Sequence, residues 1–146
     1  MKQAGLEFVV GVFIIAGIVS LGFISTKYAK MEVVGDTGYQ LTAIFPNIGG
    51  LKKGAQVEIA GVKIGRVKDI TLDNYRARVI VTINNTVQIP DDAIARIKTK
   101  GLLGEKYIDI VPGGSDTMLE KNDVIRDTQP PVDIEDLISK FVFGKV

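Results

Sequence analysis

The chain has 146 residues, with 18 Lys and Arg against 17 Asp and Glu and no His, Cys or Trp. That length allows one folded domain with appendages, and a formal charge of +1 argues against a polyanion binder that works through a strong field. Without His or Cys there is no thiolate or imidazole zinc site, no Ser-His-Asp triad, no Cys nucleophile and no disulfide.

From Phe8 to Thr26 the chain runs uncharged for 19 residues between Glu7 and Lys27. As a helix this stretch covers about 28 Å, close to the hydrocarbon thickness of a bilayer. A cleaved signal peptide has a shorter apolar core and ends in small residues. Here the run leaves through Thr26-Lys27-Tyr28-Ala29-Lys30, so residues 1–30 read as a short stub and a retained transmembrane signal anchor. Lys2 precedes the span and Lys27 and Lys30 follow it, a difference too small for charge bias to settle the orientation.

Residues 31–38 read as a polar linker, after which short β-branched runs alternate with turn residues. Tyr39, Leu41, Ala43 and Phe45 share one face of a first strand. Val57 and Ile59 form a second, broken by Gly61. Val62–Ile64 resumes, and Gly65 suggests a bulge before Val67–Leu72. Ala77, Val79, Val81 and Ile83 alternate with Arg76, Arg78 and Thr82 in a half-buried strand. Ala93–Lys98, Lys106–Val111 and Val124-Ile125 complete the set. Six or seven short strands over about 90 residues, with the barrel domain at 39–116, predict an all-β fold closed into a small barrel, because closure removes exposed edges. Residues 117–132 hold the last strand and a Pro130-Pro131 spacer.

Residues 133–146 change character. Asp133 with Asp136 approximates a capping box, and Ile134, Leu137, Ile138, Phe141 and Val142 form one apolar stripe at helical spacing. So short an amphipathic helix must pack on something, either its own barrel or copies of itself.

No catalytic constellation emerges, and the expectation is of no enzyme, no metal and no cofactor. None of Ser20, Ser25, Ser115 and Ser139 lies in a G-x-S-x-G setting. Gly49-Gly50-Leu51-Lys52-Lys53-Gly54 lacks the G-K-[ST] ending of a phosphate loop. Lys52, Lys53, Lys63, Arg66, Lys68, Arg76 and Arg78 cluster in sequence, but too few aromatics accompany them for base stacking, so nucleic acid is not the expected partner. The odd feature is Leu102-Leu103, bracketed by Gly101 and Gly104. Adjacent residues of an extended chain face opposite sides, so both leucines cannot enter one core. Either the loop folds over one barrel end, or it is kept apolar to meet other subunits or a greasy ligand.

Taken in order, Tyr39–Phe45, Asn47–Gly54, Val57-x-Ile-x-Gly-Val-x-Ile-Gly-x-Val67 and Gly101–Ile108 resemble a mammalian cell entry (MCE) domain. Ile134–Gly144 resembles the segment that follows this domain in members serving outer-membrane lipid asymmetry. The resemblance implies a seven-stranded barrel in a homohexameric ring with a central pore. It implies an inner-membrane anchor with a cytoplasmic stub and the barrel in the periplasm. It further implies the substrate-binding subunit of an ABC-type phospholipid transporter, partnered by a permease and an ATPase, with room for a small periplasmic lipid carrier. By the same resemblance Leu102 and Leu103 fall on the lipid-binding pore loop, and the 133–146 helix helps hold the ring. The chain ends soon after that helix, without the long polar tail of some relatives. The loop itself carries no charge to select a headgroup, which implies broad phospholipid specificity. The competing expectation is an envelope adaptor that bridges membrane components and carries no lipid.

Overall fold

The computed structural model describes residues 2–33 and 37–144. They fall into two units, which meet in sequence at Thr37 and Gly38.

The first unit is helix α1 (Lys2–Val33). Gln3–Tyr28, 26 residues, is long and apolar enough to cross a membrane. Phe8, Phe13, Ile18, Leu21 and Phe23 are all exposed. The helix also runs three residues into the segment expected to be a linker. Lys27-Tyr28-Ala29-Lys30-Met31-Glu32 contains no breaker, and the first is Gly35. Residues 34–36 of the expected linker lie outside the described residues.

The second unit is one eight-stranded sheet. Its strands are β1 (Gly38–Phe45), β2 (Gln56–Ile59), β3 (Val62–Asp73), β4 (Arg76–Asn84), β5 (Ile94–Thr99), β6 (Lys106–Val111), β7 (Val124–Ile125) and β8 (Asp127–Gln129). The sheet order is β7-β1-β4-β3-β2-β6-β5-β8. The expected last strand is therefore two, broken at Arg126. β7 pairs in parallel with β1, while β8 pairs in parallel with β5. The segment 124–129 thus lies along both edges of the sheet and draws them together. The Thr128 hydroxyl donates to the Ile44 carbonyl at 2.7 Å, tying β8 to β1 across the seam. Counted as one bent strand, β7 and β8 restore the seven that the resemblance implied.

Alternation fills the barrel. Leu41, Ala43 and Phe45 of β1 meet Val79, Val81 and Ile83 of β4. Val57, Val67, Ile97, Ile108, Ile110 and Ile125 close the core from the other strands. Burying each such side chain contributes about 1.5–3 kcal/mol. The bulge anticipated near Gly65 is present: Val57 pairs with Gly65 and Glu58 with Lys63, which leaves Ile64 as the extra residue.

Strand directions sort the loops into two ends. Gly38, the Ala60-Gly61 hairpin and the segment after Asn84 share one end. At the other lie the β3–β4 hairpin, the β5–β6 loop and, after β8, the start of helix α2 (Ile134–Phe143).

Candidate functional site

The β5–β6 loop begins where Thr99 pairs with Lys106. The Lys100 N–H donates to the Glu105 carbonyl at 3.0 Å, so six residues form a closed turn. Its two glycines are needed for different reasons. Gly101 takes φ +67, and a Cβ on Gly104 would run into the Lys100 carbonyl. With its base pinched shut, the loop turns its leucines outward: Leu102 is 77% exposed and Leu103 99%. The loop does not fold over its own barrel end. Leaving each leucine in water forgoes about 1.5–3 kcal/mol.

Helix α2 starts at the same barrel end. The spacer reaches it by packing on the loop after β1, where Pro131 sits so close to Gly49 that a Cβ there would collide with its ring. The expected capping box does not form, and the Asp133 side chain caps no N–H. Its carboxylate turns instead toward the Lys106 ammonium, 3.9 Å away, while the Leu137 N–H bonds to the Asp133 carbonyl. None of Ile134, Leu137, Ile138, Phe141 and Val142 is buried, and Phe141 is 91% exposed. The stripe exists and does not pack on its own barrel. Lys145 and Val146 lie outside the described residues.

A groove of about 550 Å³ opens beside the loop. Leu103 lines it, together with Lys52 and Lys53 from the segment after β1 and Lys100 and Lys106 from the ends of β5 and β6. No motif announced this grouping, because its two pairs of lysines stand about a third of the chain apart. The usable signal was their placement on either side of the two glycine-rich loops. The remaining basic residues of the sequence cluster scatter over the barrel surface, and Arg78 pairs with Asp73.

The outer face of β5, β6 and β2 carries a charge ladder. Asp109 accepts from Arg96 at 2.8 Å and Lys98 at 2.9 Å, and Lys100 meets Glu58 at 2.9 Å. Burial pushes the Asp109 pKa up, but the bonds from Lys98 and Arg96 outweigh it and hold the carboxyl below the usual carboxylate range. Lys53, bonded to Asp69, likewise holds that carboxyl low. Among the described residues no group of His, Cys, Asp and Glu could hold a metal ion.

A small closed barrel, a membrane-length apolar helix and an exposed dileucine loop define an MCE-type domain with an N-terminal helix. The sequence model of the family described as MlaD protein matches residues 37–113. The chain belongs to that family. It is 43% identical over 145 residues to the intermembrane phospholipid transport system binding protein MlaD of Haemophilus influenzae, covering 94% of this chain and 87% of that one. Its identity to the Escherichia coli protein of the same name is 40% over 153 residues, covering 99% and 84%. A chain of the Acinetobacter MlaFEDB complex in an ATP-bound conformation superposes with a TM-score of 0.70 at 32% identity, covering 92% of this chain and 97% of that one.

Proposed function

We propose that this protein is the membrane-anchored, lipid-binding subunit of a phospholipid transport system, and that copies of it form a homohexameric ring whose central pore is lined by Leu102 and Leu103. The observation that carries the reading is the dileucine loop, closed at its base by a backbone hydrogen bond and largely exposed at its tip. A lone barrel gains nothing from such a loop, whereas a ring of six would place twelve leucines around one axis. Each methylene kept from water is worth about 0.8 kcal/mol, so a sixteen-carbon chain spared solvent saves on the order of 12 kcal/mol. The unpacked stripe of α2, at the same barrel end, is the surface that joins copies.

Helix α1 anchors the barrel in the inner membrane with the barrel on the periplasmic side. The names of the H. influenzae and E. coli relatives support phospholipid as the cargo, and the MlaFEDB neighbour supports work within a multi-subunit complex. A permease and an ATPase supply path and direction, and a small periplasmic carrier is the partner that exchanges lipid with the ring. The test is Leu102→Asn/Leu103→Asn in the full chain, assembled with its partners. Lipid transfer between labelled vesicles should fall to background while electron microscopy still shows six-fold rings. Undiminished transfer by intact rings would overturn the pore assignment. Purified rings that bring no phospholipid into an organic extract would favour the adaptor instead.

A further inference from the structure

We propose that the lysine groove beside the dileucine loop seats the phosphodiester headgroup of a phospholipid whose acyl chains lie on Leu102 and Leu103. The proposal rests on the lipid-binding reading of the loop and adds to it a polar subsite that the loop alone lacks. Leu103 forms the apolar lip, and Lys52, Lys53, Lys100 and Lys106 line the same groove. The groove thus carries an oily edge and a cationic floor within one cavity, the complement of an amphiphile with an anionic head. Its volume of about 550 Å³ falls in the range of small-ligand sites.

The four lysines differ in how they are held. Lys100 is fixed by Glu58 at 2.9 Å and by the Gln56 side-chain carbonyl at 2.6 Å. Lys106 donates to the Thr99 hydroxyl at 2.8 Å and lies 3.9 Å from the Asp133 carboxylate. These two form a set wall. Lys52 has no ion-pair partner among the described residues, and Lys53 reaches Asp69 in a pair whose side chains are 64% and 39% exposed. An exposed pair of this kind holds weakly and is screened by salt. Lys53 therefore exchanges its carboxylate for a phosphate at little cost, and with Lys52 it closes on the anion. Glu105 lines the same groove and its carboxylate makes no hydrogen bond among the described residues. It is placed to meet the ammonium of a zwitterionic headgroup. Phosphate is then the shared requirement, and the amine an optional second contact.

The experiment uses the full chain in an uncharged detergent and titrates dihexanoyl phosphatidylethanolamine, dihexanoyl phosphatidylglycerol, inorganic phosphate and hexyl glucoside, read by phosphorus and lysine-labelled NMR. Both lipids should shift the Lys52 and Lys53 signals, and Lys52→Gln/Lys53→Gln should weaken them about tenfold. The Lys52→Arg/Lys53→Arg variant should retain them, which separates charge from fold. Hexyl glucoside should leave the lysine signals unmoved. Leu102→Asn/Leu103→Asn should weaken the lipids without changing the response to inorganic phosphate. Lipid affinity unchanged by Lys52→Gln/Lys53→Gln overturns the headgroup seat and leaves the loop assignment standing. Inorganic phosphate that binds as tightly as the lipids marks a site for the free ion and also overturns it. Lipid affinity unaffected by the leucine substitutions overturns the proposal together with the loop assignment.

Discussion

Gly65 lies on β3 opposite Ile83, where a Cβ would collide with the Thr82 carbonyl. Gly65→Ala must push β3 and β4 apart beside the bulge, and overpacking of this kind costs about 1–3 kcal/mol. Urea unfolding of the full chain in detergent measures it, and a change below about 0.5 kcal/mol would mean that the strands separate freely. Asp109 gives a pH signature. Its folded pKa is held below the unfolded value of about 3.9, so its stabilisation is complete above that value and is lost as pH falls through the folded pKa. Asp109→Asn should cost about 1–3 kcal/mol at neutral pH and flatten the acid limb of a melting-temperature profile. Identical acid limbs in variant and parent would remove Asp109 from the acid transition.

Helix α2 has no buried residue, so deletion of 133–146 should leave the melting temperature of the barrel within about 2 °C while, if α2 joins copies as proposed, light scattering shows species smaller than the full chain forms. Particles of unchanged size would rule out α2 as the joining element. What could be read from sequence, and what could not, divides at this scale by the range of the force involved. Strands β1 and β4 were legible because Leu41, Ala43 and Phe45, like Val79, Val81 and Ile83, must alternate to reach one core. The stripe on α2 was legible because it repeats at helical spacing. The capping box failed because Asp133 found Lys106, a partner 27 positions earlier that no local pattern encodes. The break at Arg126 was hidden for a related reason. Val124-Ile125 was legible as a last short strand, but Asp127–Gln129 has no apolar alternation to signal a second, and it forms only because the distant edge of β5 receives it. The dileucine loop stood out for its composition, but its outward aim depended on the closure at its base, and the lysine groove depended on two loops meeting.

For the whole molecule, α1 is apolar around its circumference, which suits lipid on every side and has no use in water. Ile14→Arg/Ile18→Arg would place two charges near the middle of the span, at about 2.5–3.5 kcal/mol each on insertion scales. The variant should move from the carbonate-resistant membrane pellet to the supernatant or be degraded. Full retention in the pellet would show that something other than α1 holds the chain to membranes.

The seam along 124–129 also governs when the protein can finish folding. Until those six residues have been synthesised and are free to fold, β1 and β5 each offer a bare row of backbone donors and acceptors to whatever lies nearby. The contacts of this segment with β1 join residues more than eighty positions apart, so they form late and slowly. A nascent chain stalled before Val124 is therefore the sticky species, and its hazard ends abruptly when a few final residues clip the cylinder shut.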